Sequence, residues 1–505
     1  MNIMLLLEMA SGAMGERVAV GSSASGLTYS ELFQRAGEAA ARLQDSGAER
    51  LVVCDESSPA IPLGLFAAAW AGLPYVPLNY RLPDQDLRSL AERSAPAFTV
   101  TDAAGSKRLA SIDGIDIVLR DDFISDPGAG HASLESATWD MDPDGIALLL
   151  FTSGTTGPPK SAVLRHRHLV SYILGSVEFM GAAEDEATLV SVPPYHIAGV
   201  AAMLSAVYAG RRIVQLPKFD ADAWIDLVVK EGVTHAMVVP TMLGRIVDAL
   251  EARGGEELAG VRTLSYGGGK TPQPIVERAL ELFPNTDFVN AYGLTETSST
   301  IAVLGPAEHR EALASEYPSV RLRLTSVGLP LPTVEVSIRD EARQPVPTGT
   351  VGEIYVRGEQ VSGEYLEQGS LLDDDSWFPT RDGGFLDADG FLFVQGRNDD
   401  VIIRGGENMS PGEIEDVLLQ HPDVKEVAAI GVPSTEWGET VLVVVVPRGD
   451  PPDADELCEL VRSRLRSSRV PTHIEFADEL PFSETGKLLR RVLRERYADP
   501  GDDAS

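Results

Sequence analysis

Between about residues 27 and 330 the chain alternates short β-branched runs with stretches of helical periodicity, and this alternation restricts its fold more than any other feature. Residues 211–216 read as a strand, 222–231 as a helix, 234–240 as a strand, 242–253 as a helix and 261–266 as a strand. Repeated units of this kind define an α/β class. Ligands of such sheets sit at the carboxyl ends of strands, where Gly267, Gly268, Gly269 and the pair Tyr292 and Gly293 fall. Beyond residue 326 the pattern changes to short alternating strands with Gly/Pro turns, as at 335–339 and 353–357, which indicates a small β subdomain. The polar stretch GRNDD at 396–400 separates two apolar strands and marks a domain boundary, giving domains 1–399 and 400–505. After it come a helix (411–420), two strands (426–432 and 440–446), a second helix (454–467) and a strand (473–476), an α+β unit large enough to fold alone. With 505 residues, the chain exceeds a single ordinary core and is expected to divide in this way.

Residues 151–160, FTSGTTGPPK, follow the apolar run 146–150. Hydroxyls of Thr152, Ser153, Thr155 and Thr156 surround Gly154 and Gly157, and Lys160 closes the loop. Glycines let backbone N–H groups turn toward an anion, hydroxyls add neutral donors, and a lysine is a compact cation for a polyphosphate. A solvated loop is the ordinary fate of such composition, so the phosphate reading depends on agreement with other motifs. The Walker A pattern is excluded. That pattern needs Gly-Lys opening a helix, whereas Pro158 and Pro159 intervene here and discourage a helix start.

Forty-two basic against 76 acidic residues give a net charge of −34, which argues against nucleic acid or an anionic membrane as partner. Residues 461–496 reverse the balance locally, as solvated helix charge or as a surface for a polyanion. Cys54 and Cys458 are too few for a disulfide framework and lack metal-ligand spacing. No apolar stretch is long enough to span a bilayer, and the start MNIMLLLEM lacks the basic flank of a signal peptide, so a cytoplasmic location is expected.

Four further motifs follow in order: PPYHIAG (193–199), AYGLTET (291–297), FPTRD (378–382) and PFSETGKL (481–488). Together with the loop they resemble, in order and spacing, the adenylate-forming superfamily of acyl-CoA synthetases, peptide-synthetase adenylation domains and luciferases. GLTYSEL near residue 27, AGLPYVPLNYRL near 71 and RGGENMSPGEIEDVL at 404 are similar to the acyl-CoA synthetase branch. The resemblance implies a large N-terminal α/β domain with a mobile α+β C-terminal domain, and a two-step reaction. A carboxylate attacks the α-phosphate of ATP to give acyl-AMP and pyrophosphate; a thiol then displaces AMP. Coenzyme A and Mg²⁺ complete the expected reactants.

On this resemblance, the loop with Lys160 holds the β- and γ-phosphates. Tyr292 offers a ring to adenine, Gly267 to Gly269 allow close approach to the base, and Gly293 and Thr295 face the nucleotide, Thr295 donating to the α-phosphate. Glu296 is the expected magnesium ligand, since this ion is satisfied by one or two carboxylates plus phosphate oxygens and waters. Asp382 suits the ribose diol, assisted by Arg397. Lys487 bridges the substrate carboxylate and the α-phosphate in adenylation; a lone lysine is usually surface, and its Gly-Lys context sets this one apart. His196 borders the acyl pocket with Gly199, Met237, Tyr266 and Gly267, against the bland reading of a satisfied core histidine. Gly406, Trp437, Arg466 and Arg469 are the expected coenzyme A contacts, and Asp400 the hinge.

Amino-acid-activating relatives carry an aspartate near the PPYHIAG segment, and this segment has none, which disfavours an amino acid substrate. Asp220 and Asp222 read instead as a helix start. The pocket segments suit an apolar acid. A carrier-protein phosphopantetheine arm is the alternative acceptor. Three positions depart from the family pattern: Arg381 replaces the glycine of Thr-Gly-Asp, Asp399 replaces a lysine beside Asp400, and Ser161 replaces the glycine after Lys160. Lys270 stands where proline is common. These changes keep two alternatives open: a variant that mainly thioesterifies a supplied acyl-adenylate, and a non-catalytic nucleotide-binding protein.

Overall fold

In the computed structural model the described residues are 1–127, 138–152, 159–434, 436–483 and 487–497. Their strands form four sheets. In the nine-stranded sheet, the strands Asp287–Leu294, Thr263–Gly267, His235–Val238, Ala187–Val190, Arg212–Gln215 and Val18–Val20 run parallel in that spatial order. The eight-stranded sheet contains Lys160–Arg165, Ile146–Thr152, Tyr75–Pro77, Arg50–Cys54 and Ala97–Thr101 as consecutive neighbours, with Glu364–Tyr365 on the outer side of Lys160–Arg165. Chain segments more than 200 residues apart thus meet beside Lys160.

Two helices explain how these sheets share a core. Ala60–Ala71 (AIPLGLFAAAWA) and Ile197–Ala209 (IAGVAAMLSAVYA) are apolar around nearly their whole circumference, and both bury into one cluster with the Met4–Met14 helix. A helix with no polar face needs cover on all sides. GLTYSEL has a local reason as well. Thr28 Oγ1 accepts from the Glu31 amide at 3.1 Å while a Glu31 carboxylate oxygen accepts from the Thr28 amide at 2.8 Å, a capping box that starts the Tyr29–Ser46 helix.

Sequence and structure differ slightly at boundaries. The strand expected at 234–240 ends at Val238 because Pro240 occupies the first turn of the Pro240–Ala252 helix, where its missing N–H costs nothing. Asp220 does cap Ala221–Glu231, accepting from the Ala223 amide at 2.9 Å. A four-stranded antiparallel sheet (Glu335–Arg339, Gly352–Arg357, Phe378–Leu386, Leu392–Arg397) forms the small β unit. Beyond it a smaller α+β unit has its own core, in which Ile414, Val441, Val443 and Leu457 are buried between strands Val424–Ser434 and Gly438–Pro447 and helices Pro411–Leu418 and Ala454–Arg464. No helix among the described residues is long and apolar enough to cross a membrane.

Candidate active site

The stem of the phosphate loop is a β-hairpin. Thr152 and Lys160 are register partners on antiparallel strands, so Lys160 opens a strand instead of a helix, the geometric opposite of a Walker A lysine. Of the expected cradle residues, Ser153, Gly154, Thr155, Thr156 and Gly157 lie outside the described residues. Thr152 Oγ1 donates to the Lys160 carbonyl at 3.4 Å. Lys160 Nζ donates to Gln368 Oε1 at 3.2 Å and lies 5.6 Å from the centroid of the Tyr365 ring.

AYGLTET leaves the sheet at its carboxyl edge. A Cβ on Gly293 would sit 1.7 Å from the Ser299 carbonyl oxygen, and one on Gly267 2.1 Å from that of Ala291, so both positions require glycine. Glu296, in the turn Thr295–Thr297, accepts a short hydrogen bond from the Tyr365 hydroxyl. Thr295 is half-buried beside it. Among the described residues no cluster of three or more His, Cys, Asp or Glu could cage a metal. A single carboxylate next to a phosphate loop fits magnesium, which retains waters and phosphate oxygens, and does not fit a dedicated protein cage.

Asp382 and Arg397 face each other across the hairpin of Phe378–Leu386 and Leu392–Arg397, and their side chains pair with Nε–Oδ1 at 3.0 Å. The Tyr292 hydroxyl donates to Asp382 Oδ2 at 2.6 Å. Burial raises the Asp382 carboxyl above the usual carboxylate range although Arg397, Tyr292 and Lys487 all oppose that shift. Burial and the neighbouring Asp382 likewise push the Tyr292 phenol up. Arg381 explains its own oddity: its φ is +62°, a left-handed conformation that glycine adopts freely, and its amide donates to Glu353 Oε1 at 3.2 Å.

Lys487 of the α+β unit reaches this cluster. The residue is exposed to solvent, yet protein atoms crowd its ammonium, and that desolvation, aided by Arg397 and opposed by Glu296 and Asp382, holds it below the usual lysine range. His196, at the N-cap of Ile197–Ala209, is driven down to about 3 by desolvation, with a smaller push from the Lys487 cation. His196 is therefore neutral at working pH. We expect His196→Ala to leave the shape of the pH–rate profile unchanged between about pH 5 and 8; a limb near about pH 6 that vanishes in the variant would contradict this.

Gly199, in the first turn of the Ile197–Ala209 helix, is buried, and Met237 is half-buried. Tyr266 differs from expectation. It is buried in the core, its hydroxyl 2.8 Å from His309 Nε2, so only its backbone borders the glycine turn at Gly267, Gly268 and Gly269. Alternation along Thr263–Gly267 turns its side chain inward. In the α+β unit, Gly405 and Gly406 form a left-handed turn against Trp437, which is exposed and covered by Arg404 at 5.7 Å. Arg469 is committed to Glu407 and Glu413, while Arg466 is exposed. Asp400 pairs with Arg494 at 3.2 Å and Arg490 at 3.6 Å. Lys270 donates to Asp416 Oδ2 at 2.6 Å across a cleft of about 260 Å³. Sequence reasoning missed Tyr365, Glu367 and Gln368; their only sequence signal was the pair Glu364 and Glu367 between Gly363 and Gly369.

A hairpin-borne lysine, a lone carboxylate and a tyrosine–aspartate–arginine set within electrostatic reach of a second lysine suit the activation of a carboxylate with a nucleoside triphosphate. Residues 7–366 match the AMP-binding enzyme family and residues 413–487 the AMP-binding enzyme C-terminal domain. The chain is 33% identical to a feruloyl-CoA synthase of Amycolatopsis sp, over 95% of this chain and 96% of that one. It is 30% identical to the fatty acid–[acyl-carrier-protein] ligase ScoC of Streptomyces coeruleorubidus, over 93% and 92%. The o-succinylbenzoate CoA synthetase of Bacillus subtilis, solved with its acyl-adenylate intermediate, superposes with a TM-score of 0.83 at 27% identity, covering 99% of this chain and 98% of that one. The chain belongs to the AMP-binding enzyme family of adenylate-forming enzymes and is an AMP-forming acid–thiol ligase. Reactants of that class are ATP with Mg²⁺, an acyl-AMP and a thiol such as coenzyme A.

Proposed function

We propose that this enzyme activates an apolar carboxylic acid as its acyl-AMP and transfers the acyl group to coenzyme A. The observation that carries this is that Lys487 of the α+β unit lies within electrostatic reach of Asp382, Glu296 and Arg397, and of a neutral His196. The ammonium of Lys487 offsets repulsion between the substrate carboxylate and the α-phosphate as the oxygen–phosphorus bond forms and pyrophosphate leaves. Lys160 takes the departing phosphates, Asp382 and Arg397 orient the ribose, and Tyr292 packs against the base. Glu296 would hold Mg²⁺, which supplies neutralisation of phosphate charge. In this reading the chain divides at 399/400, with Asp400 as the hinge that later presents Gly406, Trp437 and Arg466 to the thiol. Lys160, Glu296, Asp382 and Lys487 are all present, which favours full two-step activity over the thioesterification-only and non-catalytic alternatives.

An apolar acid is supported by Ile197–Ala209, whose cleft-side start carries no acid to pair with a substrate amine. Coenzyme A is favoured over a carrier protein by its small size and by the exposed Arg466 and Trp437. A panel of apolar, aromatic and amino acids, incubated with MgATP and either coenzyme A or a phosphopantetheinylated carrier protein, tests the assignment by thioester mass. Coenzyme A thioesters of apolar acids are expected. Products confined to amino acids, or to the carrier, would overturn it.

A further inference from the structure

The phosphate hairpin is fastened by groups that no role has yet been given. Ser161, next to Lys160, is gripped at two points by one carboxylate: its amide donates to Glu367 Oε2 at 3.0 Å and its hydroxyl to Glu367 Oε1 at 2.7 Å. Arg93 donates to the same carboxylate at 2.6 Å and to the Pro159 carbonyl at 2.8 Å. Its guanidinium also lies 4.9 Å from the centroid of Phe151, on the opposite limb of the hairpin. One arginine therefore ties both limbs to Glu367.

The same segment continues toward the nucleotide. Leu366 donates its amide to the Ser161 carbonyl at 2.9 Å, Gln368 accepts from Lys160, and Tyr365 joins Glu296. A glycine in place of Ser161 would lose the hydroxyl bond, so this chain's departure from the family pattern creates half of the clamp. We propose that Glu367 is a positioning residue for the triphosphate: through Ser161 and Arg93 it sets the height and direction from which Lys160 meets the β- and γ-phosphates. A salt bridge alone between partly exposed groups is worth little, but here one carboxylate accepts three charge-assisted or backbone bonds in a fixed geometry.

The inference rests on the assignment of Lys160 to those phosphates, and a nucleotide comparison separates the two. AMP lacks the phosphates that Lys160 would hold. Titration calorimetry of the full chain with MgATP and with AMP, without acid or thiol, is expected to show Glu367→Ala weakening ATP about tenfold, or 1.4 kcal/mol, with AMP affinity unchanged. Glu367→Gln, which can still accept from the Ser161 amide but turns its own NH2 toward Arg93, recovers only part of the loss. Equal weakening of ATP and AMP, or no change in either, overturns the positioning role. Lys160→Ala with undiminished ATP affinity would overturn the phosphate assignment itself, and this inference with it.

Discussion

Lys487→Ala is expected to slow acyl-AMP formation by about 10²–10³-fold, the range seen when one preorganised electrostatic donor is removed, while thioester formation from supplied acyl-AMP is spared. The reason is positional. In the proposed role Lys487 opposes the charge that accumulates when carboxylate and α-phosphate come together, and in the second step that repulsion has already been resolved into a covalent bond. Pyrophosphate release measures the first step and thiol consumption from synthetic acyl-AMP the second; equal loss of both would refute this division. The depressed pKa adds a sign. Lys487 must be protonated to act, so adenylation falls as pH rises through a value below the usual lysine range. Thioesterification does not share that limb.

Asp382→Asn should behave differently, weakening every ligand that carries a ribose. The carboxylate accepts from Tyr292 and Arg397; an amide keeps one acceptor for Arg397 but loses the negative charge of that pair and presents a donor where the second oxygen stood. Arg397 is 39% exposed on its side chain, so water relieves part of the loss. We expect about 2 kcal/mol, roughly thirtyfold, in nucleotide affinity. AMP binding and both half-reactions should decline together, unlike the effect of Lys487→Ala. Retained AMP affinity would place the ribose elsewhere.

Much of the α/β architecture could be read from periodicity, because strand and helix repeats are local. Strands expected at 335–339 and 473–476 occur as Glu335–Arg339 and His473–Phe476. Motif order fixed the family for the same reason. What escaped the sequence were contacts between distant segments. Ser161 and Glu367 are 206 positions apart, and Lys270 and Asp416 146; no periodicity links such pairs. Arg381 was conspicuous as a missing glycine, but its left-handed backbone is a torsion, which residue identity alone does not specify. Tyr266 was misplaced because a strand has two faces and only packing decides which one a residue occupies.

The bridge between Lys270 and Asp416 joins the glycine turn at Gly267, Gly268 and Gly269 to the Pro411–Leu418 helix, and both side chains are partly open to water. Such a pair is weakened by dissolved ions, since charges are screened over about 8 Å at physiological ionic strength. On the proposed division at Asp400, added salt should loosen this link between the glycine turn and the smaller unit, and the ratio of adenylation to thioesterification rates across an ionic-strength series checks it.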